Sequence, residues 1–239
     1  MRKSLAALAI GAVLVSAGCG DDRPDRAVTV EKPSATAAAK STEESPAKAA
    51  GKPLTKEQAE AALLTTQDLP TGFSQDDSVL DEEGDDTEDT TSPEVCGKLF
   101  DAIDDANGEP LVEAQRGFTG SSFTILQQVV ASHEKEAAGT LDAMAGALSK
   151  CSEFTSTDAD GVESAFTASS LSFPNLGDKT LAVRMTAESE GIEMTLDVVS
   201  IAVGQNSISI FTGGLVPIEG SKLEEVARTA VTKLEKAAA

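Results

Sequence analysis

The chain predicts an α+β domain in which an antiparallel sheet packs with helices behind a tether that has no core of its own. Three observations carry this. Residues 162–215 read as four β segments joined by short turns, with no room for crossover helices, so their sheet is antiparallel. Amphipathic helical patterns flank them on both sides. Residues 20–54 are rich in Ala, Lys, Ser, Pro and Asp and hold almost no large apolar residue beyond Val28 and Val30. Such a stretch cannot offset the entropy of ordering.

The chain opens with Arg2 and Lys3, an apolar run over residues 5–15, and Ser16, Ala17 and Gly18 before Cys19. A charged start, a short apolar run and small residues form an export signal. The run is far short of the ~20 residues a membrane-crossing helix needs. A cysteine directly after small residues resembles the bacterial lipobox, whose thiol takes a diacylglycerol before the signal is cut away. That resemblance makes 1–18 a signal peptide and Cys19 the lipid-bearing N-terminus. It makes 19–54 a lipid-anchored, disordered linker with a mean span of roughly 30–35 Å. An ordinary secretory signal with a fortuitous cysteine is the alternative.

Composition narrows the partners. Formal net charge is −21, with one His, no Trp, no Tyr and 3% aromatics. Nucleic acid is bound through Lys and Arg, so this chain is expected to take none. Anionic head groups repel it as well, which leaves the lipid on Cys19 as the expected membrane contact. Stacking platforms and aromatic cages lack their rings. Besides Cys19 the chain holds Cys96 and Cys151. In an exported protein these point to a disulfide; two buried free thiols are the alternative.

Within the expected domain, 55–239, Thr55 caps a first helix with Gln58 as its capping-box partner. Ala59, Leu63 and Leu64 form its inward stripe, through Thr65. The segment Asp68-Leu69-Pro70-Thr71-Gly72 is a turn, and residues 73–80 form a short strand. Residues 81–89 are an acidic loop. Ser92 and Pro93 start a helix whose Cys96, Leu99, Phe100 and Ile103 share one buried face. Residues 111–118 and 122–131 are strands around Gly120. Ser132 then caps a helix over 133–150 with Ala137, Leu141, Met144, Ala145 and Leu148 inward. Four strands follow, over 162–173, 179–188, 192–203 and 207–215. A last helix over 221–236 uses Leu223, Val226, Ala227, Ala230, Val231 and Leu234. Matching apolar residues pairs Met185 with Met194 and Val183 with Leu196 across a loop of Glu188, Ser189, Glu190 and Gly191. It also pairs Val203 with Ile208 and Ile201 with Ile210 across Gln205-Asn206.

No catalytic set emerges. His133 stands alone, at a helix start where a surface position explains it, and no second His is present for a His-based metal site. The acidic loop and Ser156–Gly161 lack EF-hand order, so a solvated loop and a turn explain them, with a weak site for a hard cation such as calcium as the alternative. No metal or cofactor is expected. Arg116 and Arg184 are cations inside predicted strands. They are speculative contacts for an anionic ligand, with a buried carboxylate or a solvent-facing position as the alternatives.

The run Leu63-Leu64-Thr65-Thr66-Gln67-Asp68-Leu69-Pro70-Thr71-Gly72-Phe73 resembles the opening of the PknH-like extracellular sensor domains. These occur outside some actinobacterial kinases and in stand-alone lipoproteins. The order that follows fits too: a helix with Cys96, a strand ending Val130-Ala131-Ser132, and a helix ending at Cys151. The resemblance implies an α+β fold with an open cleft proposed to bind a ligand. It supplies no catalytic residue, and this chain has no kinase motif and cysteines for one disulfide where the kinases have two. The expected function is a non-catalytic sensor or binding module of the outer membrane face, its partner an unknown small ligand or cell-envelope protein. A carrier of lipid or another apolar molecule is the alternative. Residues Ile192, Met194, Leu196 and Val198 on one face of a strand and Val199, Ile201 and Val203 on the other fit either.

Overall fold

The structure, a computed structural model, describes residues 51–80, 90–107, 109–157, 161–189 and 191–239, with backbone alone at 100 and 102–107. Cys19, the acidic stretch 81–89, Asp158, Asp160 and the side chains of Phe100 and Ile103 lie outside the described residues. Residues 51–54, ahead of the expected boundary at 55, already pack on the domain. The Gln205 amide donates to the Gly51 carbonyl at 3.2 Å, Asn206 Nδ2 donates to the Lys52 carbonyl at 3.1 Å, and Leu54 is buried.

Helix α1 (Lys56–Ala61) opens on the expected capping box of Thr55 and Gln58. It stops short of Thr65 because the next residues serve the core: Leu63 and Leu64 are buried, and the Leu64 amide donates to Gln128 Oε1 at 2.6 Å. The strand expected over 73–80 shrinks to β1 (Ser74–Gln75) and a 3-10 turn, Asp77–Leu80. Asp76 Oδ1 drives that turn by accepting from the Ser78 amide and hydroxyl, a local bond that competes with strand pairing. The chain continues through β2 (Thr90–Ser92), α2 (Glu94–Asn107), β3 (Val112–Thr119) and β4 (Ile125–Ser132).

Helix α3 is only Ala138–Leu148, and Ser132 does not cap it. The Ser132 hydroxyl is used at the end of β4, accepting from the Leu54 amide at 2.9 Å and donating to Asn206 Oδ1 at 2.6 Å. The His133 and Ala137 amides are held by the carbonyls of Gln205 and Gly204, so the intervening chain cannot coil. Then come β5 (Glu153–Thr157), β6 (Glu163–Ser170), β7 (Lys179–Ser189), β8 (Ile192–Val203), β9 (Asn206–Gly214) and α4 (Gly220–Ala238). Strands β2 and β5 were not anticipated.

Among the described residues the strands form one antiparallel sheet in the order β1-β3-β4-β9-β8-β7-β6-β5-β2. The expected pairings are corrected by two residues in both long hairpins. Met185 faces Leu196 and Val183 faces Val198; Ile201 faces Ile208 and Val199 faces Ile210. Both hairpins close on two-residue turns that carry a glycine at positive φ, Gly191 at 80° and Gly204 at 61°. Such turns favour glycine where the backbone is left-handed. A shift of two leaves every side chain on its predicted face.

The inner face carries Phe118, Leu126, Val130, Val199, Ile201, Ile208 and Ile210, all fully buried. Helix α4 covers it with Leu223, Val226, Ala227, Ala230, Val231 and Leu234, and α1 completes the same core. Each large aliphatic so buried contributes roughly 1.5–3 kcal/mol, so packing more than propensity holds α4 in place. The outer face bears α3, where Ala137 and Leu141 pack on Ala202 with Met144 and Leu181 beside them.

Candidate functional site

The two arginines of the sequence reading are both on the inner face, and both are spoken for. Arg116 on β3 sends Nη1 to the Leu64 carbonyl at 2.9 Å. That interaction helps tie down the segment leaving α1. Arg184 on β7 stands opposite Asp197 on β8 and grips it through Nε and Nη2, both at 2.7 Å. The hydrogen bonds to Asp197 raise the guanidinium pKa against the opposing effect of burial. The buried-carboxylate alternative thus describes Arg184, and neither cation faces the cleft described below.

Cys96 near the start of α2 and Cys151 just past α3 are bridged, with Cα atoms 5.6 Å apart. Both are buried. The bridge pins the end of α3 where that helix passes over β6 and β7. Beyond Met144 an open cleft of about 230 Å³ lies between the helix and the strands. Its apolar walls are Ala145, Leu148, Ala168, Leu181 and Val183; Ser149, Ser152, Ser169 and Ser170 add hydroxyls. The Ser149 hydroxyl donates to the Gly146 carbonyl at 2.8 Å, so towards the cleft it can only accept. None of these lining side chains ionises at neutral pH. Along β6 the outer face continues from Ala168 to Phe166, which stacks on Phe154 with centroids 4.9 Å apart and planes at 8°. Across the strands it continues from Val183 to half-buried Val198 and Phe211.

Apolar walls with a few hydroxyls suit a small, largely uncharged molecule; they offer no general acid or base. The sequence pattern named Leu148 and Ala145 as core, since it could not reveal that they line a cleft. The serines carried no signal at all, because serine is common in loops and strand ends alike.

His133 is not at a helix start. It follows β4, is half-buried, and its Nε2 lies 3.1 Å from Ser207 Oγ. Burial lowers its pKa, partly offset by the charge of Glu113. This Ser–His contact was missed, because the two residues are 74 apart in the chain and meet only through the β4–β9 pairing. Neither lines the cleft.

No family model matches the chain, and no curated protein matches it. Among solved structures, the extracellular domain of PknH from Mycobacterium tuberculosis superposes with a TM-score of 0.55 at 16% identity, over 78% of this chain and 99% of that one. An uncharacterised protein from Mycobacterium smegmatis, the Rv0999 ortholog, gives a TM-score of 0.42 at 13% identity, over 74% of this chain and 96% of its own. The chain has the fold of the PknH extracellular domain.

Proposed function

We propose that the chain is an exported, lipid-anchored and non-catalytic sensor or ligand-binding module of the outer membrane face, and that its ligand seats in the cleft beneath α3. The observation that carries this reading is the cleft itself: apolar walls and hydroxyls, no ionisable lining side chain, and a helix held over it by the Cys96–Cys151 bridge. The likeness to an extracellular domain and the export pattern ending in Cys19 support the location. A carrier is the second reading, favoured by the half-buried apolar strip of Met185, Leu196, Val198 and Phe211 beside the cleft. An open cleft favours a sensor over a carrier, which would need an enclosed cavity.

Native mass spectrometry of the full chain from its own membranes should reveal a bound small molecule. Nile red, a neutral probe, should bind, and Ala168→Arg should abolish that binding without lowering Tm. Unchanged Nile red binding in the variant would remove the cleft from consideration. A co-purifying long-chain lipid would favour the carrier. Ester turnover lost in Ser207→Ala would defeat both. Metabolic labelling with fatty acid tests the anchor, because Cys19→Ala should release the chain from the membrane fraction.

A further inference from the structure

Five of the seven large apolar side chains that stand exposed among the described residues gather at one end of the sheet. They are Phe123, Ile192, Met194, Leu215 and Val216, between 48% and 87% exposed. The register explains the clustering. The last β8–β9 pair is Thr195 with Gly214, so Met194 and Leu215 are each the next residue beyond it. Gly214 in turn lies against the Phe123 carbonyl and Thr124 at 3.3 Å from where its Cβ would be. Three chain segments thus bring apolar side chains to one rim, where scattered single residues would need no explanation. A hollow of about 240 Å³ opens beside them, with Phe73, Val216, Pro217 and Ile218 among its walls.

Two further features cost stability in the isolated chain. Ser122 and Phe123 both hold positive φ, 58° and 59°. Backbone strain of this kind collects at functional surfaces, and here it displays the most exposed of the five side chains. Glu188 and Glu193 stand directly opposite each other at the same end, both exposed. Like charges so placed in a ladder are destabilising. Glu219 and Lys222 edge the hollow, and the chain as a whole carries −21.

We propose that this end of the sheet docks a protein partner whose contact segment carries apolar side chains flanked by Lys or Arg. One apolar anchor would fill the hollow, and the cations would relieve the Glu188–Glu193 pair. The charge argues against an anionic membrane as the occupant. Gly51, the first described residue, is held by the β8–β9 turn at the opposite end of the sheet. Rims of apolar anchors with charged borders are how protein interfaces are commonly built.

The test uses the full chain and three labelled peptides of equal length, composed of Leu and Lys, Leu and Glu, or Ser and Lys. Fluorescence anisotropy should show binding of the Leu/Lys peptide alone. Phe123→Ser with Leu215→Ser should weaken it at least tenfold with Tm unchanged, because both side chains are exposed. Glu188→Gln with Glu193→Gln should weaken it several-fold and flatten its salt dependence. Equal binding to wild type and both variants would overturn the proposal, as would equal binding of the Leu/Glu or Ser/Lys peptide. Phe123-dependent flotation of the Cys19→Ser chain with anionic vesicles would assign the rim to the membrane instead. Phe123-dependent self-association would assign it to a second copy.

Discussion

Arg184 and Asp197 face each other across β7 and β8, and the guanidinium closes on the carboxylate through two bonds of 2.7 Å while only 1% of the Asp197 side chain stays exposed. This pair lies where the inner face passes from the core under α4 to the polar strands β6 and β5. A carboxylate buried there requires its cation.

Removing the cation alone should therefore be costly. Arg184→Met is expected to destabilise by about 3 kcal/mol, the low end for a broken buried pair. The arginine side chain is 36% exposed, so water can reach part of the gap. Arg184→Met with Asp197→Leu should recover most of the loss, because no unpaired charge remains. Urea denaturation of the two variants decides between this and a surface ion pair, for which the single change would cost under ~1 kcal/mol.

The same pair shows what the sequence could and could not disclose. Alternation along β7 and β8 identified the faces, and Arg184 was visible as a cation in a strand. Its partner was not, because the register depends on turn length: Ser189 pairs with Ile192, so the hairpin closes more tightly than the expected loop. The long apolar strands and the amphipathic α4 were legible because burial writes a period into them. Strands β2 and β5 were not, since Thr90, Thr91, Thr155 and Ser156 supply no large apolar side chain to set a period, and β2 is the last strand of the sheet. The cleft was invisible for a related reason. It lies between the end of α3 and strands β6 and β7, and no periodicity records a gap between elements.

Reduction of the Cys96–Cys151 bridge should cost about 4 kcal/mol in the chain-entropy picture for a separation of 55 residues. Because the bridge holds the end of α3 above β6 and β7, Cys96→Ser with Cys151→Ser should also weaken Nile red binding, even at temperatures where the domain stays folded. Equal probe affinity in the folded variant would show that α3 holds its place without the bridge.

His133 should make stability depend on pH in one direction. Burial lowers its pKa from 6.5, against the opposing charge of Glu113. The folded chain therefore binds its proton less readily than the unfolded chain. Stability is intact above 6.5 and is lost as pH falls from there towards the folded value. Replacing His133 with Gln, which keeps a polar group near Ser207, should flatten Tm between pH 7.5 and 5.5 relative to wild type. An unchanged slope would move the dependence to other groups.

Gly204 makes the sharpest backbone prediction. It turns β8 into β9 with φ at 61°, a left-handed conformation that costs a side chain roughly 1 kcal/mol or more. A Cβ there would also stand 2.6 Å from the Gly51 amide nitrogen and 2.9 Å from its carbonyl oxygen. Both strain and collision fall on the segment that Gln205 and Asn206 hold in place, so Gly204→Ala should push Gly51 and Lys52 off the turn. Leu54 is buried in the core and its amide donates to Ser132 Oγ, so the displacement should stop near it. The Gln205 amide, which donates to the Gly51 carbonyl, should then exchange its hydrogen faster in the variant, and the global loss should be about 1–3 kcal/mol. Unaltered exchange at the Gln205 amide together with wild-type Tm would mean that the turn and the entry segment are not coupled through Gly204.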